Sequence, residues 1–115
     1  MSDFSTTFVE GAAVVRFPRR VDVTNTRNFV EVARGLIAED HRAIILDLEG
    51  TEAIDSTGLG AMVQIFKSVH VGEGTLLLAN VPPSIEQLLA MTRLNRVFTR
   101  YASIAEAAAN LRRAS

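Results

Sequence analysis

The alternation of apolar and polar positions changes period several times along this chain, and each change marks a candidate element. Residues 4–10 and 12–17 read as two short strands, with Glu10-Gly11 as the turn between them. Pro18 ends the second run. Thr24 or Asn25 then stands where a helix cap is expected, and Phe29, Val32, Ala33, Leu36 and Ile37 follow at spacings of three and four, on one helical face. Ala43 to Leu48 is a nearly continuous apolar run, the mark of a strand covered on both sides. A second helical period starts at Asp55-Ser56-Thr57-Gly58 and lasts to about Val69, with Leu59, Met62, Val63, Phe66 and Val69 as its inner stripe. Gly72-Glu73-Gly74 breaks it. Thr75 to Ala79 is again an apolar strand, and Pro82-Pro83 opens a third helix that faces inward through Ile85, Leu88 and Leu89. A short strand at 97–101 and a last helix with Ile104, Ala107, Ala108 and Leu111 complete the chain. The order β-β-α-β-α-β-α-β-α predicts an α/β domain, a mostly parallel or mixed sheet with helices packed on it.

The length of 115 residues is enough for one compact domain and too short for two, so a single domain is expected, its core at about residues 5–111. Cysteine is absent, which excludes disulfides and thiolate chemistry. Met1-Ser2-Asp3-Phe4 shows neither a basic region nor an apolar stretch, so no signal peptide is expected. No apolar run approaches the roughly 18 residues of a membrane helix, so neither is membrane insertion, and a cytoplasmic location is. Net charge is −1. Arginines cluster at Arg19-Arg20, Arg93/Arg96/Arg100 and Arg112-Arg113, but acids are interspersed and aromatics few, which argues against direct nucleic-acid binding.

The chemically suggestive segment is Ala53-Ile54-Asp55-Ser56-Thr57-Gly58-Leu59-Gly60, where a strand hands over to a helix N-terminus. The first helical N–H groups have no intrahelical acceptor, and the helix dipole favours negative charge there. A hydroxyl at such a place becomes an anion on phosphorylation. The plainer role is an N-cap, which contributes about 1 kcal/mol to a helix in general. Nucleophilic catalysis by Ser56 would need a base nearby. His41 precedes the third strand at its far end, and His70 lies near the end of the helix that Ser56 begins, roughly 20 Å away by helix rise. Both read as helix-terminating residues. Asp47, Glu49 and Asp55 flank one loop and raise the option of a magnesium site; accepting backbone hydrogen bonds is the simpler role. There is no P-loop, and Gly58-x-Gly60 lacks the third glycine of a dinucleotide fingerprint. No catalytic residue, metal site or cofactor is expected, and the chain does not read as an enzyme.

Asp55-Ser56-Thr57-Gly58-Leu59-Gly60, after a strand ending Leu46-Asp47-Leu48, resembles the signature of the STAS domain, a family named for sulphate transporters and anti-sigma-factor antagonists. The resemblance runs from about Ser5 to Leu111 and includes Val21-Asp22, the strand Thr75 to Ala79, and Pro83-Ser84 followed by Leu88-Leu89. It implies a mixed sheet with helices mainly on one face. It also implies a partner switch. The unphosphorylated domain binds an anti-sigma factor that is a serine kinase; the kinase phosphorylates the serine after the signature Asp; a metal-dependent serine phosphatase reverses the mark. Carried over, the phosphoacceptor is Ser56, with Thr57 as a second candidate, and transcription is regulated indirectly. The contact surface is expected at Asp22, Asp55, Thr57 and Gly58. Ala61, Gln64 and Ile65 lie off the inner stripe of the second helix and extend that surface or form ordinary exterior. Two alternatives come with the family: an accessory subunit bracing the ATPase of a lipid-trafficking ABC transporter, and a nucleotide-binding module. One departure stands out. Many members carry Gly-Glu before the Val/Leu-Asp pair, whereas here Arg19-Arg20 precede Val21-Asp22. The pair is either a solvated turn or a cation within reach of a phosphate on Ser56.

Overall fold

The computed structural model describes residues 3–114. Met1, Ser2, Ser115 and the side chains beyond Leu111 lie outside the described residues, and with them the reading of the N-terminal residues and of the Arg112-Arg113 pair. Strands β1 (Ser5–Val9) and β2 (Ala12–Arg16) form an antiparallel hairpin closed at Glu10-Gly11, where Gly11 takes φ of +83°. There follow β3 (Arg20–Val21), α1 (Thr26–Ala38), β4 (Ala43–Asp47), β5 (Ala53–Ile54), α2 (Ser56–Val71), β6 (Thr75–Ala79) and α3 (Pro83–Met91). A 3₁₀ turn at Leu94–Arg96, β7 (Thr99–Tyr101) and α4 (Ile104–Ala114) end the fold.

The main sheet has the order β1-β2-β4-β6-β7, with β2, β4, β6 and β7 mutually parallel. Each crossover therefore steps to the next position in the same direction. Right-handed crossovers of that kind place α1, α2 and α3 on one face of the sheet, all starting from the carboxyl edge of the strands. The resulting core joins Ala13, Val15, Ile44, Leu46, Leu76 and Leu78 to Phe29, Ala33, Met62, Ile65, Ile85 and Leu89. Phe4, Phe17 and Phe29 close one end of it, with ring centroids 5.1–5.4 Å apart. Helix α4 alone covers the other face, where Ala107 and Ala108 meet Ala12, Val14, Ile45, Leu77 and Ala79. Ile44, Ile45 and Leu46 are all fully buried, which explains the unbroken apolar run of that strand. Among the described residues no helix is long and apolar enough to cross a membrane.

The sequence pattern misplaces part of α2. Ala61 and Ile65, expected on the outside, are 5 % and 0 % exposed and belong to the core, whereas Val63 and Phe66 are only half-buried. The helix packs on the sheet and against α1 at once, so its buried arc is wider than one stripe and displaced from the predicted one. Of the three positions assigned to the outer surface, Gln64 alone is exposed. The structure also contains β3 and β5, a two-stranded parallel ribbon that the sequence pattern did not predict.

Candidate functional site

The ribbon builds the site. Arg20 pairs with Ala53 and Val21 with Ile54, and the ladder continues as the Asp55 N–H donates to the Val21 carbonyl at 3.0 Å. The loop before α1 and the start of α2 are thereby fixed side by side at the carboxyl edge of the sheet. Thr51, 2 % exposed, supports the ribbon from below by donating its hydroxyl to the Pro18 carbonyl at 3.0 Å. Gly58 seals the junction. A Cβ there would lie 2.8 Å from Ile54 Cγ2 and 2.9 Å from Val21 Cγ1, both on stiff β-branched side chains. Gly58→Ala is accordingly expected to lift the first turn of α2 off the ribbon and destabilise the fold by about 1–3 kcal/mol. Gly60→Ala, at a position with nothing within 4 Å, is the control, and thermal unfolding of the two variants is the measurement.

Asp55 is the N-cap of α2: its Oδ1 accepts from the Gly58 N–H at 2.9 Å and from the Thr57 hydroxyl at 2.6 Å. These bonds, the hydroxyl's first, hold the Asp55 carboxyl below its ordinary value of 3.8 despite some desolvation. Thr57 is exposed, yet its hydroxyl is committed to Asp55; Ser56 is exposed and its hydroxyl has no hydrogen-bond partner among the described residues. Of the two candidate hydroxyls, that of Thr57 is engaged and that of Ser56 is not, among the described residues. Gly58 is buried and cannot itself form exposed surface; it acts by close approach.

Asp22 stands across the ribbon. Its Oδ1 accepts from both the hydroxyl and the N–H of Thr24, which lower its pKa, with a smaller lowering from Arg20; desolvation and the nearby charge of Asp55 oppose them. Asn25, expected as a helix cap, makes no side-chain cap. Buried to 8 % exposure, it closes the loop instead, accepting from the Asp22 N–H at 3.0 Å and donating to the Arg20 carbonyl at 2.8 Å. The Thr26 hydroxyl donates to the Asp22 carbonyl at 2.6 Å. The tip of this loop presents Val23, 73 % exposed, beside two carboxylates. Sequence reasoning did not single out Val23 because nothing in its spacing distinguishes it from a strand residue.

Asp47 lies apart from this cluster in role: it is 1 % exposed and accepts from Arg16, from Asn80 and from the Glu49 N–H. Asp47 and Asp55 both accept backbone hydrogen bonds, as the simpler reading of the acids supposed. No group of three metal-ligating side chains occurs among the described residues. His41 follows α1, its N–H bonded to the Leu36 carbonyl, and His70 lies in the last turn of α2.

The model of the STAS domain family matches residues 3–107. A Thermotoga maritima protein provisionally named an anti-sigma factor antagonist is 28 % identical over 106 residues, covering 91 % of this chain and 94 % of its own. The crystal structure of that relative superposes with a TM-score of 0.87 over 95 % of this chain and 94 % of its own. Its homologue in Thermotoga neapolitana is 30 % identical over 100 residues, covering 86 % of this chain and 88 % of its own. The unphosphorylated and phosphorylated forms of the Bacillus protein SpoIIAA share the fold at 18 % identity, each with a TM-score of 0.74; the matches cover 96 % of this chain and 97 % of the first form, and 94 % and 98 % for the second.

Proposed function

Because the chain belongs to the STAS domain family, we propose that it is an anti-sigma-factor antagonist switched by phosphorylation of Ser56. Unphosphorylated, it docks on an anti-sigma factor that is itself a serine kinase, and the sigma factor is released. The docking edge consists of Asp22, Val23, Asp55, Ser56, Thr57 and, further along α2, Gln64. The kinase transfers the γ-phosphoryl group of ATP to the Ser56 hydroxyl oxygen, ADP leaves, and the complex separates. A metal-dependent serine phosphatase hydrolyses the ester and restores the docking form. The chain contributes no catalytic group of its own; it acts in the cytoplasm as a surface whose charge is written and erased.

The observation that carries this reading is the Ser56 hydroxyl: exposed, without a partner among the described residues, and next to a carboxylate that holds its neighbour Thr57. The names of the Thermotoga relatives support the same class of function. Incubating the protein with ATP and the soluble extract of its own cells, then mapping phosphate by mass spectrometry, is expected to place it on Ser56. Capture from the same extract is expected to bring down a serine kinase with wild type and Ser56→Ala. Absence of phosphate on Ser56, together with recovery of a transporter ATPase indifferent to Ser56→Asp, would establish the accessory-subunit role instead.

A further inference from the structure

We propose that Arg20 is a built-in counter-ion for phosphorylated Ser56, held ready on the outer face of the β3–β5 ribbon; the inference rests on Ser56 being the phosphoacceptor. Val21 and Ile54 are 2 % and 6 % exposed and face the core. By strand alternation their neighbours Arg20, Asp22, Ala53 and Asp55 share the opposite face. Arg20 is in register with Ala53, which sets it diagonally across from Asp55, two residues further on. With strands about 4.8 Å apart and about 3.3 Å per residue, that diagonal is about 8 Å, a span an extended arginine covers. Ser56 is the next residue.

The two arginines that precede Arg20 in the chain are committed elsewhere. Arg16 pairs with the buried Asp47 at 3.3 Å, and Arg19 with Glu52 at 2.7 Å. Arg20 is exposed and has no ion-pair partner among the described residues, yet its charge already acts on Asp22. A phosphate on Ser56 brings about two negative charges next to Asp22 and Asp55, with Glu52 neutralised by Arg19. Arg20 is then the one uncommitted cation of this ribbon, and its planar fork matches phosphate oxygens. The first-turn amides of α2 favour the same anion. With Arg20 beside it, the phosphate folds onto the protein's own surface.

The test installs phosphoserine at position 56 genetically, without any kinase, and follows the phosphate by ³¹P NMR from pH 4 to 8 at low salt. Asp22 and Asp55 raise the second phosphate pKa, and an adjacent guanidinium lowers it. Arg20→Gln is expected to raise that pKa by at least ~0.3 unit relative to wild type, a difference reduced by added salt. Arg19→Gln, whose partner is Glu52, is expected to titrate like wild type. Superimposable curves for wild type and Arg20→Gln, or an equal displacement by Arg19→Gln, overturn the proposal. Either result leaves the kinase reading intact, since that reading is judged by where a kinase puts phosphate.

Discussion

Ser56→Ala is expected to hold its anti-sigma partner as tightly as wild type and to remain bound when ATP is added, whereas Ser56-phosphorylated protein is expected to bind at least ~100-fold more weakly. The magnitude follows from the site. A hundredfold loss requires about 2.7 kcal/mol. In the proposed complex the partner covers the start of α2, and covering a phosphate there means stripping water from roughly two negative charges beside Asp22 and Asp55. One poorly compensated buried anion costs that much or more. Arg20 offsets the repulsion within the free protein, which stabilises the released form and leaves the partner less to gain by taking the phosphate in. Ser56→Asp carries one charge and no tetrahedral oxygen shell, so an intermediate loss is expected. Titration calorimetry against the captured partner measures all three. Undiminished binding by the phosphoprotein would refute the electrostatic switch.

The second large effect separates core from surface along one helix. Ile65 is 0 % exposed and sits in the main core with Met62, Leu46 and Phe29. Ile65→Ala is expected to cost about 2–5 kcal/mol in urea unfolding, the lost transfer energy plus the cavity. Gln64→Ala, one residue away and exposed, is expected within about 0.5 kcal/mol of wild type. Any influence of Gln64 should instead appear in partner affinity. An Ile65→Ala protein as stable as wild type but deficient in docking would return that residue to the surface role that periodicity suggested.

That pair also shows what was legible in the sequence. The apolar runs of β4 and β6 are buried on both sides and therefore announce themselves, and α1 and α3 each bury the face their spacing predicts. Helix α2 contacts two neighbours, so a single stripe cannot describe it. The β3–β5 ribbon escaped because two residues per strand contain no period at all. Its consequences were partly visible: Asp55 and Ser56 could be named from the signature and Asp22 from the wider resemblance, but not that a ladder bond from Asp55 to Val21 joins the two segments. Asn25 illustrates the limit in another way. Its residue type suits a cap, and only the fold shows that Asp22 and Arg20 claim both ends of its amide.

The ribbon has one more implication. Because Gly58 locks onto Val21 and Ile54 without slack, and Asn25 pins the adjoining loop, the two lips of the docking edge behave as a single stiff body. Association then forfeits little chain entropy, and the modification has no hinge to pull. Under the proposed switch its message would travel as altered solvation at the rim, felt only by whatever molecule tries to sit there.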